Sequence, residues 1–162
     1  MMGRVLVTRR EIFSAAHRLH SNKLSPEENQ ALFGPCNNIH GHGHNYTIEV
    51  GWCPHPFIVT LLSSLYFHLL QVTVAGDPDP VTGMVINISD LKVIIKERIM
   101  AELDHKNIDK EVAYFSESDR VSTTENLAVF CWNQLVEQIP GPAVLHQVKI
   151  WETEKNIVTY TG

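Results

Sequence analysis

Residues 143–162, AVLHQVKIWETEKNIVTYTG, decide how the chain is built. Two runs rich in β-branched and aromatic residues, 143–152 and 156–162, flank the polar step TEK, which predicts two strands closed by a hairpin. Immediately upstream, STTENLAVFCWNQLVEQI (122–139) predicts a long helix with Ser122 or Thr123 as its cap and an acid in its first turn. Before it, SDLKVIIKERIMAEL (89–103) predicts another, capped by Ser89. Its Leu91, Ile94, Ile95, Ile99 and Leu103 form one apolar stripe at three- and four-residue spacing. GDPDPVTGM (76–84) is turn chemistry. Towards the start of the chain, RVLVTRREIFSAAHRL (4–19) reads as a strand that puts Phe13, Ala15 and His17 on one face. SPEENQALFG (25–34) reads as a short helix: Ser25 caps it, Pro26 takes its first position, Glu28 closes a capping box and Gly34 ends it. HGHNYTIEV (42–50) reads as a second strand. Two strands, two long helices, then two strands predict an α+β fold, an antiparallel sheet with both long helices on one face, rather than alternating βαβ units.

The bulk properties narrow the function. A chain of 162 residues with 44% apolar content makes one domain, 1–162, with no repeat or linker. The net charge of −5 comes without a basic stripe or a Lys/Arg block, which argues against nucleic acid and against an anionic membrane surface. FIVTLLSSLYFHLL (57–70) is shorter than the roughly 20 apolar residues of a spanning helix. Three cysteines, an odd number, speak for a reducing compartment, and MMGRVLVTRRE reaches charge too soon for a signal peptide. A cytoplasmic protein is expected.

The chemistry concentrates in CNNIHGHGHN (36–45). On a strand His42 and His44 project to the same face, and His17 on the preceding strand supplies a third imidazole. Three histidines and an open position are the pattern of catalytic zinc, whereas a structural site closes all four positions. His40 and His42 share the same alternate spacing, so the register stays open at this level. Cys36 is either a small buried hydrophobe or a thiol whose thiolate form a nearby cation favours, as base or as nucleophile. Asp104 and His105 suit proton transfer but also suit a plain helix end. TTEN (123–126) reads first as a capping segment. Glu152 shares strand parity with Val148 and Ile150 and could accept two hydrogen bonds from an aminopyrimidinone edge, or simply lie exposed at a strand end.

Taken together, FSAAHRL, LSPEENQALFGPCNNIHGHGHNY, DPVTGMVINISDLK, LDHKNID, VSTTENLAV and WETEKNIV resemble, in order and over nearly the whole chain, the 6-pyruvoyltetrahydropterin synthase family. The resemblance implies a tunnelling (T-fold) α+β subunit whose sheets join into a barrel, with trimers stacked into a hexamer and active sites between subunits. It implies zinc (Zn2+) on His17, His42 and His44, with His40 a bystander. Cys36 becomes the catalytic base, and Asp104–His105 a proton relay from a neighbouring subunit. Glu152 becomes the pterin anchor, with Thr123, Thr124 and Glu125 lining the pterin pocket. The implied reaction converts 7,8-dihydroneopterin triphosphate into 6-pyruvoyl-tetrahydropterin with loss of inorganic triphosphate, on the way to tetrahydrobiopterin. No dinucleotide fingerprint is present, which fits a reaction without nicotinamide or flavin. Two alternatives stand beside it: a 6-carboxytetrahydropterin synthase-type activity, and an inactive splice form acting only as a zinc-stabilised oligomer. The five residues between Cys36 and His42 match the biopterin-pathway spacing rather than the former.

One stretch departs from the family pattern. There HNYTIE would run directly into VTVAGDPDPVTG, but residues 50–71, VGWCPHPFIVTLLSSLYFHLLQ, intervene. The segment is apolar and lacks Asp, Glu, Lys and Arg. It reads as a retained intron: a Val codon can begin with GT, a Gln codon can end in AG, and LYFHLL can be encoded almost wholly by pyrimidines. A lineage-specific loop is the alternative. YFHLLQVTV has enough β propensity to compete for the strand pairing, and deleting 50–71 is expected to raise soluble yield and activity.

Overall fold

The computed structural model describes residues 4–42, 68–153 and 155–162. Strand β1 (Val5–Phe13) leads through Ser14 into the short β2 (Ala15–Ala16), and helix α1 (Pro26–Phe33) follows. A 3-10 turn (Gly34–Asn37) comes next, and then β3 (His68–Gly76). The first long helix begins as α2 (Ile88–Ile95), passes through a π turn (Lys96–Met100) and ends as α3 (Ala101–Leu103). After β4 (Lys106–Asn107) come two single turns, α4 (Ile108–Glu111) and α5 (Ala113–Ser116), then the second long helix α6 (Thr124–Leu135). The hairpin β5 (Val144–Trp151) and β6 (Ile157–Tyr160) closes the order.

The main sheet is antiparallel throughout, in the order β1-β3-β5-β6. β2 and β4 make a separate parallel pair, Ala15 opposite Lys106 and Ala16 opposite Asn107. Leu70, Val72 and Val74 of β3 and Val148 and Ile150 of β5 are fully buried, in one core with Leu91, Ile95, Ile99 and Leu103 of the first long helix and Leu127 and Leu135 of α6. The expected α+β class, with an antiparallel sheet, is thus present.

The apolar stripe of the first helix explains its π turn. Buried residues recur every four positions, from Leu91 to Leu103, while an ideal α-helix turns every 3.6 residues or so. The wider turn takes up that excess and keeps all four side chains on the core. The helix starts earlier than expected: Asn87, not Ser89, is the cap, and its side chain accepts the Ser89 N–H at 2.9 Å. The second long helix is shorter than 122–139, with Thr123 as its cap. In α1 every expected signal is present, including both arms of the Ser25–Glu28 capping box and Gly34 at φ 51. No described helix is long and apolar enough to cross a membrane.

β3 differs from expectation. The strand read over 42–50 lies, beyond His42, outside the described residues. The partner of β1 begins instead with His68–Gln71, the last four residues of the atypical stretch, paired in register with Phe13–Arg10.

Candidate active site

His17 lies just beyond β2 and pairs with His42 in an antiparallel bridge. The His42 N–H donates to the His17 carbonyl at 2.9 Å, and the reverse bond is 3.3 Å. The pairing sets the two imidazoles side by side, ring centroids 4.7 Å apart. His17 is 1% exposed, and its Nδ1–H donates to the Ser122 carbonyl at 2.7 Å. That bond fixes the proton on Nδ1 and puts the lone pair on Nε2, the tautomer usual for metal-binding histidines. Gly41 makes the close approach feasible: its φ is 75, and a Cβ there would stand 3.1 Å from the His17 carbonyl oxygen. His40 is exposed, with its N–H on Asn38 Oδ1. His44 lies outside the described residues. Among the described residues, no three His, Cys, Asp or Glu side chains cluster closely enough to hold a metal ion.

Cys36 sits in the 3-10 turn after α1. Its carbonyl accepts the Leu19 N–H at 2.9 Å, which ties the thiol segment to the chain two residues past His17. Burial pushes the thiol pKa up, and the negative charge of Glu152 pushes it the same way. Glu152 stands one residue beyond β5, and its N–H donates to the Asn156 carbonyl at 3.0 Å to close the hairpin turn. Glu152, Thr123, Thr124, Glu125 and Lys155 line a cavity of about 510 Å³, with Leu19 on its wall. Thr123 Oγ1 accepts the Asn126 N–H at 3.4 Å, so this residue caps α6 while facing the cavity.

Asp104 and His105 are held on the β1–β2 junction. Asp104 Oδ1 accepts the Ser14 N–H at 2.9 Å and stands 3.0 Å from His105 Nδ1. The His105 N–H donates to the Ser14 carbonyl at 2.6 Å. His105 has φ 61, a left-handed conformation costing a non-glycine residue about 1–3 kcal/mol, of the kind that clusters at functional sites. Its side chain is 81% exposed. With His40 and His42 it lines a second cavity of about 500 Å³. One chain therefore brings Cys36 towards Glu152 and brings His42 to the cavity of His105, but neither Asp104 nor His105 lines the cavity of Glu152.

Two contributors escaped the sequence reading: the Ser122 carbonyl on His17, and the Ser14 backbone that grips Asp104 and His105. Both act through main-chain atoms, which every residue carries, so no side-chain pattern signals them.

These elements define an α+β chain with an antiparallel sheet packed against its long helices. The structure of Caenorhabditis elegans 6-pyruvoyl tetrahydropterin synthase matches with a TM-score of 0.80 and 38% identity, over 99% of this chain and 97% of that one. The Plasmodium falciparum 6-pyruvoyl tetrahydropterin synthase structure, at 16% identity and a TM-score of 0.58 over 98% of both chains, shares the fold. The sequence model of 6-pyruvoyl tetrahydropterin synthase matches residues 6–56 and 68–162. The 6-pyruvoyl tetrahydrobiopterin synthases of Drosophila melanogaster and Homo sapiens are each 49% identical over 156 residues, covering 96% of this chain and 79% and 90% of theirs. The chain belongs to the 6-pyruvoyl tetrahydropterin synthase family.

Proposed function

We propose that this chain converts 7,8-dihydroneopterin triphosphate into 6-pyruvoyl-tetrahydropterin and inorganic triphosphate, a step of tetrahydrobiopterin synthesis. The observation that carries the reading is the cavity in which Glu152 stands with Thr123, Thr124 and Glu125, walled by Leu19, whose N–H is bonded to the Cys36 carbonyl. A carboxylate there accepts two N–H bonds from an aminopyrimidinone edge and so fixes which way the ring enters.

His17 and His42, joined by His44, would hold a zinc ion, which when bound supplies Lewis acidity towards the substrate's side-chain hydroxyls. The Nδ1–H bond from His17 to Ser122 suits that role, because it aims the ring and raises its basicity. Cys36, held as a thiol by burial and by Glu152, would release its proton to solvent beside a bound cation, and the thiolate would then take a proton from the substrate side chain. Asp104 orients His105 to accept that proton and return it. Tautomerisation moves the reducing equivalents of the side chain into the ring, and triphosphate leaves as an anion by elimination. The balance needs no outside oxidant or reductant. Since His105 does not line the cavity of Glu152, the relay for a given thiol would come from a second copy, in a hexamer of two stacked trimers.

The test is incubation of the purified chain with dihydroneopterin triphosphate, reading released triphosphate. Release that Cys36→Ala lowers about 10²-fold or more, as removal of a general base does, supports the assignment. Release at the same rate from C36A would remove the thiol from the mechanism.

A further inference from the structure

Two antiparallel pairings follow one another along the start of the chain: β1 with β3, and the isolated bridge His17↔His42 four residues beyond the end of β1. Along β1 and β3 the numbers of paired residues add to 81 at all nine positions, from Val5↔Gly76 to Phe13↔His68. At His17↔His42 they add to 59. Both pairings are antiparallel and draw on one run of chain, since β1 leads through Ser14 and β2 to His17. An unbroken partner strand would hold a single sum; here the two differ by 22. Twenty-two is the length of the apolar stretch 50–71. It is also an even number, so inward and outward positions match on both sides of the stretch.

We infer that residues 50–71 are a register-neutral insertion, and that with them removed residues 46–49 take the places of 68–71 opposite Arg10–Phe13. Counting back 22 positions brings Ile48 to the place of Leu70, which is 0% exposed, so an aliphatic side chain fills the core either way. It brings Glu49 to the place of Gln71, whose Oε1 accepts from Arg10 Nε at 3.2 Å. A carboxylate there turns a neutral-acceptor bond into a doubly charged one. Tyr46 and Thr47, good strand formers, replace His68 and Leu69. With 50–71 removed, Glu49 joins Val72, and one partner strand runs from His42 to Gly76 in the register of both pairings. The inference stands on backbone pairing alone and is independent of the proposed activity.

The test compares the full chain with three deletions, of residues 50–71, 50–70 and 49–71, by thermal unfolding. The shorter and longer deletions shift the register by one, which turns the inward set outward. The 22-residue deletion is expected to melt no lower than the full chain and about 5 °C or more above both neighbours, a gap on the scale of one or two core contacts in a domain of this size. Failure of either ordering, including a 22-residue deletion that does not fold, overturns the inference.

Discussion

At the scale of single residues, the account turns on how Cys36 ionises. Burial and the Glu152 carboxylate both favour the neutral thiol, so the thiolate fraction grows as pH rises. Glu152→Gln removes the charge and leaves the burial. The midpoint for alkylation of Cys36 by iodoacetamide, mapped by peptide mass, is therefore expected to move to lower pH. An unchanged or higher midpoint would mean that the carboxylate does not act on the thiol. The same variant should raise KM for the pterin substrate, since a neutral amide accepts only one of the two ring-edge bonds. Cys131 gives no competing signal: it is fully buried, and burial pushes its thiol pKa far up. His105 offers a second separation. Asn tolerates the left-handed backbone that His105 adopts, so His105→Asn should melt within a few degrees of the parent. Its turnover should fall about 10²-fold or more, as loss of a proton relay does. A large loss of melting temperature alongside would assign His105 to the fold instead.

At the scale of elements, local chemistry was most legible where all its parts lie within four residues. The capping box of α1 needs only Ser25, Pro26 and Glu28, and both its arms form. Ser25→Ala should cost about 1 kcal/mol in urea unfolding. A cost near zero would mean that α1 is held by its contacts alone. The first long helix shows where such reading stops. Its core stripe follows from spacing, but Asn87 and Ser89 are both good caps, and only tertiary placement of the chain after Val85 and Ile86 selects Asn87. The strand beside β1 was harder still, because YTIE and HLLQ carry compatible patterns and no local rule ranks them. The site divides in the same way. His17 and Cys36 stand out by residue type, whereas the Ser122 carbonyl that orients His17 belongs to a distant segment and has no side-chain signature. Leu70, at 0% exposure, reports on the strand that is in place: Leu70→Ala should lower stability by about 2–5 kcal/mol. A negligible loss would indicate that another segment fills that slot.

At the scale of the whole molecule, the proposed relay between copies would make an oligomer part of the chemistry. If Asp104–His105 of one copy serves Cys36 of another, then Cys36→Ala and His105→Asn chains, each nearly inactive, should regain activity when mixed, dissociated and reassembled. Mixed assemblies contain interfaces with both intact groups, and the recovered rate should rise well above either parent. No recovery in assemblies shown to be mixed would place the relay and the thiol of one site in the same chain. Among the described residues, β1 and β6 are the outer strands of the four-stranded sheet. The most direct measurement on the central claim takes zinc-loaded chain of known metal content, supplies 7,8-dihydroneopterin triphosphate, and quantifies inorganic triphosphate and 6-pyruvoyl-tetrahydropterin together. The account predicts equimolar appearance of the two over many turnovers; stoichiometric zinc with no triphosphate released would contradict it.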